Sequence, residues 1–123
     1  MKLGKRELDG KIETLLLAVL AEGPGHGYGL VQKLNERSAG LLSLGEGTVY
    51  PVLHRMEEQG LLTAAWRTGD TGRQRKVYRL SPKGRRRLNT QRQQWAGLVS
   101  VMDKIVGPVA EGDSPLNPRG ATA

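Results

Sequence analysis

Three stretches in the first 62 residues have apolar side chains at the three-to-four-residue spacing of an amphipathic helix. The first predicted helix begins near Ile12, and its apolar residues cover two sides. The second follows His26, which is placed to cap it. The third begins near Thr48, a residue type common at N-caps, and Pro51 then falls in its first turn. Three short helices with short links favour a helix-turn-helix arrangement.

The pattern changes after Gly60, the predicted left-handed residue that ends the third helix. Residues 63–80 form two strand-like runs around a turn at residues 69–72. A small helix followed by a basic hairpin is the outline of a winged helix, which places a helix in a DNA groove and a loop on the backbone. The glycine-rich segment 23–29 follows a helix rather than a strand, so we interpret it as a tight interhelical turn and not as a nucleotide-binding loop.

A fourth helix is predicted from Ser81 and Pro82, as its N-cap and first residue, to Gly107. Apolar residues recur along it every seven positions, as in the seam of a coiled coil. Gly84 and Gly97 are expected to weaken it. A seam this apolar is unfavourable on a lone exposed helix, so we predict a homodimer. We assign the contact between the two copies to five residues of this helix: Leu88, Leu98, Val99, Met102 and Ile105.

These patterns predict a mainly α-helical protein with a small β-hairpin, a winged helix-turn-helix followed by a long C-terminal dimerisation helix. We divide the 123-residue chain into four parts. They are a flexible N-terminus (1–10), a winged-helix DNA-binding domain (11–80), the dimerisation helix (81–107) and a disordered tail (108–123), which is rich in proline and glycine.

The positive charge of the chain is concentrated in one segment. The whole chain has 19 Lys and Arg residues against 12 Asp and Glu residues, a net charge of +7. Residues 67–92 contain ten basic residues and one acidic residue, which gives +9, while residues 1–66 and 93–123 are each −1. Such a segment is the electrostatic footprint of a protein that binds a polyanion. A solvated basic face is the alternative.

Several classes of function have no support in the residue types. The chain has no cysteine, which excludes disulfides, thiolate metal sites and cysteine nucleophiles. We find no carboxylate dyad, Ser-His-Asp set or phosphate loop, and therefore expect neither an enzyme nor a cofactor. The two histidines, His26 and His54, lack partners at metal-ligand spacing, so no metal site is expected. No apolar run reaches the roughly 18 residues of a membrane span, and we expect a cytoplasmic protein without membrane contact.

The third helix and the hairpin carry the candidate DNA-binding residues. The inner stripe of the helix leaves Pro51, His54 and Arg55 facing outward, with Thr48 and Tyr50 on the flanks. The C-terminal end of the helix is acidic, so the N-terminal half is predicted to enter the groove. In the hairpin, three cations are predicted to contact the DNA backbone: Arg73, Arg75 and Lys76. An ordinary solvated helix face and a charged edge hairpin are the alternatives.

Trp95 lies in the seam of the fourth helix beside small or polar neighbours. One interpretation is a residue of the dimer core. The other is a flat aromatic surface at the subunit interface that stacks on a small planar aromatic ligand. The two interpretations are compatible.

Three motifs occur in a fixed order: HGYGL at 26–30, GTVYPVLHRMEEQGLL at 47–62 and GRQRKVYRLSPKG at 72–84. Together they resemble the PadR family of bacterial transcriptional regulators, and in particular its short subfamily with a single C-terminal helix. The resemblance covers about residues 11–106. It implies a winged-helix DNA-binding domain, a homodimer in which the last helix packs against the partner's N-terminal helix, and repression of a nearby promoter that a small molecule often relieves.

The resemblance also implies roles for individual residues. The cations of the hairpin fall on the family's basic wing, and Trp66 and Tyr78 fall on aromatic wing positions that pack. Trp95 is the candidate counterpart of a tryptophan on which some multidrug-sensing members stack planar cationic drugs. The motif positions at or beside the DNA surface are Tyr28, Thr48, Tyr50 and Pro51.

We therefore expect a sequence-specific, DNA-binding transcriptional regulator. It would act as a repressor that binds double-stranded operator DNA as a homodimer, and a small planar ligand at the dimer interface would relieve that binding. The alternative from another class is a winged-helix module that binds another protein or senses a nucleotide, without promoter-specific DNA binding. Heparin retention that does not depend on the wing arginines, with no shift of promoter DNA, would favour that alternative.

Overall fold

The computed structural model describes residues 1–110 and 112–113 of the chain. Most of the predicted tail therefore lies outside the described residues. The elements in chain order are α1 (Ile12–Glu22), β1 (Gly25–His26), α2 (Gly27–Arg37), α3 (Glu46–Glu58), β2 (Leu62–Thr68), β3 (Gln74–Leu80) and α4 (Pro82–Ile105). The strands form one antiparallel sheet in the order β1-β3-β2. The predicted fold class, a mainly helical winged helix-turn-helix with a long last helix, is confirmed.

The core is built around α1. Leu16 and Leu17, on two sides of this helix, are completely buried, because α2, α3, α4 and β3 all contact α1. Leu53 and Met56 of α3 close the core from the other side. Full burial of an aliphatic side chain of this size contributes roughly 1.5–3 kcal/mol. The contacts among the helices therefore determine where α3 and the hairpin are held.

The start of α3 differs from the sequence prediction. The helix begins at Glu46 with Gly45 as its N-cap, so the assignment of Thr48 as the N-cap was wrong. Leu44, just before the cap, and Val49, four residues after it, are both buried and pin the entry of the chain into the helix. The predicted placement of Pro51 in the first turn was also wrong, because the helix begins at Glu46 and Pro51 lies beyond its first turn.

The end of α3 agrees with the prediction. Gly60 has a left-handed backbone with φ of +77°. The N–H of Leu61 donates to the carbonyl of Met56 at 2.9 Å, and the N–H of Gly60 donates to that of Glu57 at 3.0 Å. These are the two hydrogen bonds of a Schellman C-cap, and they turn the chain directly into β2.

The glycine-rich segment between α1 and α2 contains a strand that the sequence did not reveal. Gly25 pairs with Tyr78 and His26 pairs with Val77, which makes β1 an edge strand beside β3. The interpretation of this segment as a tight turn alone was therefore incomplete. The pairing holds the start of α2 next to the hairpin.

Helix α4 begins as predicted, since the Oγ of Ser81 accepts a hydrogen bond from the N–H of Gly84 at 3.0 Å. Its first half packs on α1, where the Oε2 of Glu13 lies 3.2 Å from Arg87 Nη1 and accepts from Gln91 Nε2 at 2.6 Å. From Arg92 to the end of the helix every residue is exposed. The second half of α4 therefore extends away from the domain.

Residues 1–10 are joined to the loop that precedes α3. The N–H of Leu3 donates to the carbonyl of Leu41 at 2.7 Å, and the N–H of Ser43 donates to that of Leu3 at 2.8 Å. Leu8 packs against the core. These contacts restrain the segment, and its flexibility remains a prediction.

Among the described residues, no helix has both the length and the apolar character needed to cross a bilayer.

Candidate nucleic-acid interface

The outward side of α3 is accessible along its length. Because Val49 and Leu53 face the core, their neighbours Tyr50, Pro51 and His54 point outward. The exposed members of the predicted DNA-contact set are Tyr28, Tyr50, Pro51, His54, Arg55, Arg73 and Arg75, while Thr48 and Lys76 are half-buried. The fold therefore brings the start of α2, the face of α3 and the hairpin to one region of the surface.

Tyr50 packs directly on the start of α2. A Cβ atom placed on Gly27 would lie only 2.4 Å from Cε1 of the Tyr50 ring, so no larger residue fits there without moving the ring. Burial, the nearby carboxylate of Glu46 and Tyr78 raise the pKa of the Tyr50 phenol, with burial the largest cause. The phenol therefore stays neutral near pH 7, and its O–H can donate to a phosphate oxygen.

A cleft of about 320 Å³ separates Tyr50 from the hairpin. Its other walls come from His26, Gly27, Trp66, Arg75, Lys76 and Tyr78. Trp66 is 64% exposed, which contradicts the packing role inferred for it, whereas Tyr78 is half-buried and packs against the core. Aromatic and cationic side chains thus line the same opening.

His26 has the capping role that the sequence suggested. Its Nδ1 accepts a hydrogen bond from the N–H of Gly29 at 3.1 Å. The Nε2 of the same ring lies 3.2 Å from Nη1 of Arg75. The roles of the two nitrogens in this contact depend on the tautomer of the ring, and an anionic oxygen at this point would accept a hydrogen bond from Arg75.

Lys76 is not an open cation like its neighbour. Its Nζ lies 2.8 Å from Oε1 of Glu57 on α3, and each side chain is 32% exposed. The hydrogen bond to Glu57 is the main cause that raises the pKa of Lys76, so the ammonium stays charged across the neutral range. It also lies 5.5 Å from the centre of the Tyr78 ring. Lys76 therefore connects the hairpin to α3, whereas the preceding residue, Arg75, lies beside His26.

The tip of the hairpin has the predicted turn chemistry. Gly72 has φ of +79°, and its N–H donates to the carbonyl of Gly69 at 2.9 Å. The N–H of Gly69 donates to the carbonyl of Arg73 at 2.8 Å. This closed turn places the exposed Arg73 at the end of the ribbon, beyond the body of the domain.

The acidic end of α3 is occupied by a local pair. The Nε2 of His54 lies 2.7 Å from Oε1 of Glu58, one turn further along the helix.

Within the residues that the structure describes, no group of three or more histidine, cysteine or acidic residues is arranged to hold a metal ion.

The second half of α4 exposes a row of apolar side chains. Trp95 is 53% exposed, and the row continues through Leu98, Val99, Met102 and Ile105. Leu88, which we grouped with them, is 3% exposed and packs in the protomer's own core, so it offers little surface to a partner. A groove of about 590 Å³ lies between α4 and residues 3–18; its apolar lining residues are Leu3, Leu8, Leu15, Ala18, Leu88, Trp95 and Leu98.

Comparisons with known proteins agree with this geometry. Residues 16–90 match the family described as the transcriptional regulator PadR-like family. The transcriptional regulator Rv3488 of Mycobacterium tuberculosis is 42% identical over 72 residues, which are 58% of this chain and 64% of that protein.

Solved structures with the same fold include a transcriptional regulator from Clostridium thermocellum, with a TM-score of 0.74 and 25% identity over 80% of this chain and 96% of that one. A PadR family transcription regulator from Clostridium difficile has a TM-score of 0.70 and 31% identity over 78% of this chain and 98% of that one.

Proposed function

Because this chain belongs to the PadR-like family of transcriptional regulators, which are DNA-binding proteins and not enzymes, we propose that two copies of it bind an operator DNA in the cytoplasm and repress a neighbouring promoter. The observation that carries the proposal is the surface that joins the outward face of α3 to the cationic hairpin. The hairpin part of that surface belongs to residues 67–92, the segment after α3 in which the positive excess of the chain is concentrated.

The N-terminal half of α3 is the part that reads bases. It presents Tyr50 and Pro51 on its exposed side, with His54 one turn beyond them, while the C-terminal end of the helix carries Glu58, whose charge repels phosphates. Recognition helices dock with their N-terminal residues on base edges, so the distribution of charge and the usual docking geometry agree.

The hairpin contacts the DNA backbone. Arg73 at its tip and Arg75 beside the cleft are exposed cations. A phosphate at the cleft would accept hydrogen bonds from Arg75 and, in the tautomer that has its hydrogen on Nε2, from His26. The neutral Tyr50 phenol is a further donor on the same opening.

Arg75→Ala and Lys76→Ala should have different effects on DNA binding. Loss of Arg75 removes a phosphate contact, so affinity falls for every sequence and the slope of log K against log salt decreases by about 0.9 per contact. Lys76 is already neutralised by Glu57, so its loss should weaken binding by moving the hairpin and leave the slope unchanged. Fluorescence anisotropy titrations at several salt concentrations measure both quantities. An equal decrease of slope in the two variants would contradict the assignment of Lys76.

The exposed apolar row of α4 supports a homodimer. The five side chains of this row, each more than a third exposed, form a surface that a lone domain would leave in water. A second copy would cover it and bring two α3 helices onto the two halves of a pseudo-palindromic site.

Trp95 is the proposed site for a small planar aromatic ligand. It lines the apolar groove between α1 and α4, and its side chain is half-exposed. Such a ligand acts as an inducer only if it binds the DNA-free dimer better than the DNA-bound one.

Quenching of tryptophan fluorescence tests this ligand site. In a Trp66→Phe background, planar dyes should quench Trp95, and operator DNA should weaken the dye affinity by the same factor by which the dye weakens DNA affinity. The matched control is the further substitution Trp95→Ala. Quenching that survives it, or a dye affinity that DNA does not change, would leave Trp95 as a residue of the dimer core only.

A gel shift followed by transcription in vitro tests the proposed function. The purified protein should retard the DNA upstream of its own coding sequence and lower the transcript from the promoter in that fragment. A higher transcript level would make the protein an activator. Failure to retard any promoter fragment, with heparin retention that does not depend on the wing arginines, would instead favour a protein-binding or nucleotide-sensing module.

A further inference from the structure

We infer that the N-terminal segment, residues 2–11, forms a second backbone clamp, and that Lys5 in it contacts the DNA phosphates on the side of α3 opposite the hairpin. This inference rests on the proposed DNA binding and adds a contact to it.

The first observation is a groove of about 280 Å³ between this segment and α3. Lys5 and Asp9 form part of one wall, and Thr48, Pro51 and Arg55 form part of the other. Lys5 therefore lies beside the half of α3 that is proposed to read bases.

The second observation is the position of the groove around the helix. Successive residues of an α-helix are rotated by about 100°. Thr48, Pro51 and Arg55 consequently share one side of α3, while Tyr50 and Glu57, which contact the start of α2 and the hairpin, lie on nearly the opposite side. The exposed face lies between these two sides, so the N-terminal segment and the hairpin flank it.

The geometry of B-DNA gives both flanks a partner. A helix inserted in the major groove, which is about 12 Å wide, has one phosphate backbone along each wall. The hairpin supplies cations to one backbone. Without the N-terminal segment, Arg55 would be the main cation toward the other.

The third observation is that the segment contacts the loop before α3 and that its charge is available. The backbone bonds of Leu3 to Leu41 and Ser43 attach the segment to the loop before α3, and Lys2 Nζ donates to the carbonyl of Gly40 at 2.5 Å. Lys5 is exposed and forms no ion pair with any residue from the described part of the chain.

Two acidic residues, Asp9 and Glu13, line the groove, and they differ in the partners they already have. Glu13 is already bound to Arg87 and Gln91. Asp9 is exposed, and it is the carboxylate at this site that would oppose a phosphate. Substitutions at Lys5 and Asp9 therefore have predicted effects of opposite sign.

The test is the affinity of full-length Lys5→Ala and Asp9→Asn for the DNA fragment that the wild-type protein binds, between 50 and 200 mM salt. Lys5→Ala should remove one phosphate contact per protomer and lower the salt slope by about 0.9 for each. For a dimer the loss of affinity at 50 mM salt should then exceed that at 200 mM by about tenfold. Asp9→Asn should bind more tightly than the wild type.

The matched control is Lys104→Ala, which removes the same charge from the last turn of α4, far along the exposed helix. It should change neither slope nor affinity appreciably. A slope for Lys5→Ala equal to that of the wild type would overturn the inference, as would a loss of affinity accompanied by a lower thermal stability. If the wild-type protein binds no DNA, the proposed function itself fails, which is a different result from wild-type binding with an unaltered Lys5→Ala slope.

Discussion

Gly84→Ala should lower the free energy of unfolding by about 3 kcal/mol, because there is no space for a methyl group at this position. A Cβ atom on Gly84 would lie 2.2 Å from the carbonyl oxygen of Leu61 and 2.7 Å from Cδ1 of Leu80. The nearer atom belongs to the backbone, which the cap of α3 and the Ser81 N–H bond to Leu61 hold in place at 3.0 Å. Relief of the overlap would have to move α4 away from the hairpin.

Thermal unfolding at equal protomer concentration measures this effect, and a loss of about 3 kcal/mol corresponds to a decrease in Tm of roughly 10–20 °C for a domain of this size. Gly97→Ala is the control, since nothing lies within 4 Å of a Cβ at Gly97 in the same helix. Its higher helix propensity should stabilise the protein by up to about 1 kcal/mol. Equal Tm values for the two variants would show that α4 does not approach Leu61 this closely.

Met102→Glu should convert the proposed homodimer to a monomer and weaken the proposed operator binding by about 100-fold or more. Met102 is half-exposed in the apolar row of α4 and takes no part in the protomer's core, so the domain itself should remain folded. A carboxylate buried against a second apolar helix is strongly unfavourable. Two linked reading heads gain about 10²–10⁴ in affinity over one, and the monomer loses that gain.

Light scattering and DNA titration measure the two effects. The mass should fall from about twice 13.4 kDa to 13.4 kDa. Ser100→Glu, which places the same charge on the opposite side of the same helix, should leave both mass and affinity unchanged. A dimeric Met102→Glu protein would place the subunit contact elsewhere.

The helices and the hairpin could be predicted because burial imposes a period on the sequence. The apolar positions of α1 and α3 repeat every three to four residues because those residues fill one core. The turn of the hairpin and the end of α3 could be predicted because Gly60 and Gly72 adopt backbones that other residues disfavour. Local chemistry determines each of these features.

The features that the sequence did not reveal depend on tertiary contacts. Strand β1 is two residues long, too short for any alternation, and exists because β3 lies beside it. The start of α3 follows from the burial of Leu44 rather than from the capping preference of Thr48. Gly84 looked like a weak point of α4, yet its lack of a side chain allows the close contact with Leu61.

In the candidate site, the residue types could be predicted from the sequence, but the contacts that each residue makes could not. Arg75 and Lys76 are equivalent in a charge count, although within the described residues Lys76 pairs with the carboxylate of Glu57 and Arg75 contacts the His26 ring instead of a carboxylate. The signal that separates them is that Lys76 lies two residues before the packed Tyr78 and therefore shares its face of the strand. No sequence pattern places Lys5 beside α3, because tertiary contacts such as the pairing of Leu3 with Leu42 bring it there.

The most direct test of the account is a hydroxyl-radical footprint of the purified protein on its own upstream DNA at low salt. Two protomers that insert α3 and contact the backbone with their hairpins should protect two half-sites about 10 base pairs, or one helical turn, apart or a whole number of turns apart. Arg75→Ala should need more protein to give the same pattern. Absence of protection on any upstream fragment at micromolar protein, or protection of a single half-site by a stable dimer, would contradict the account.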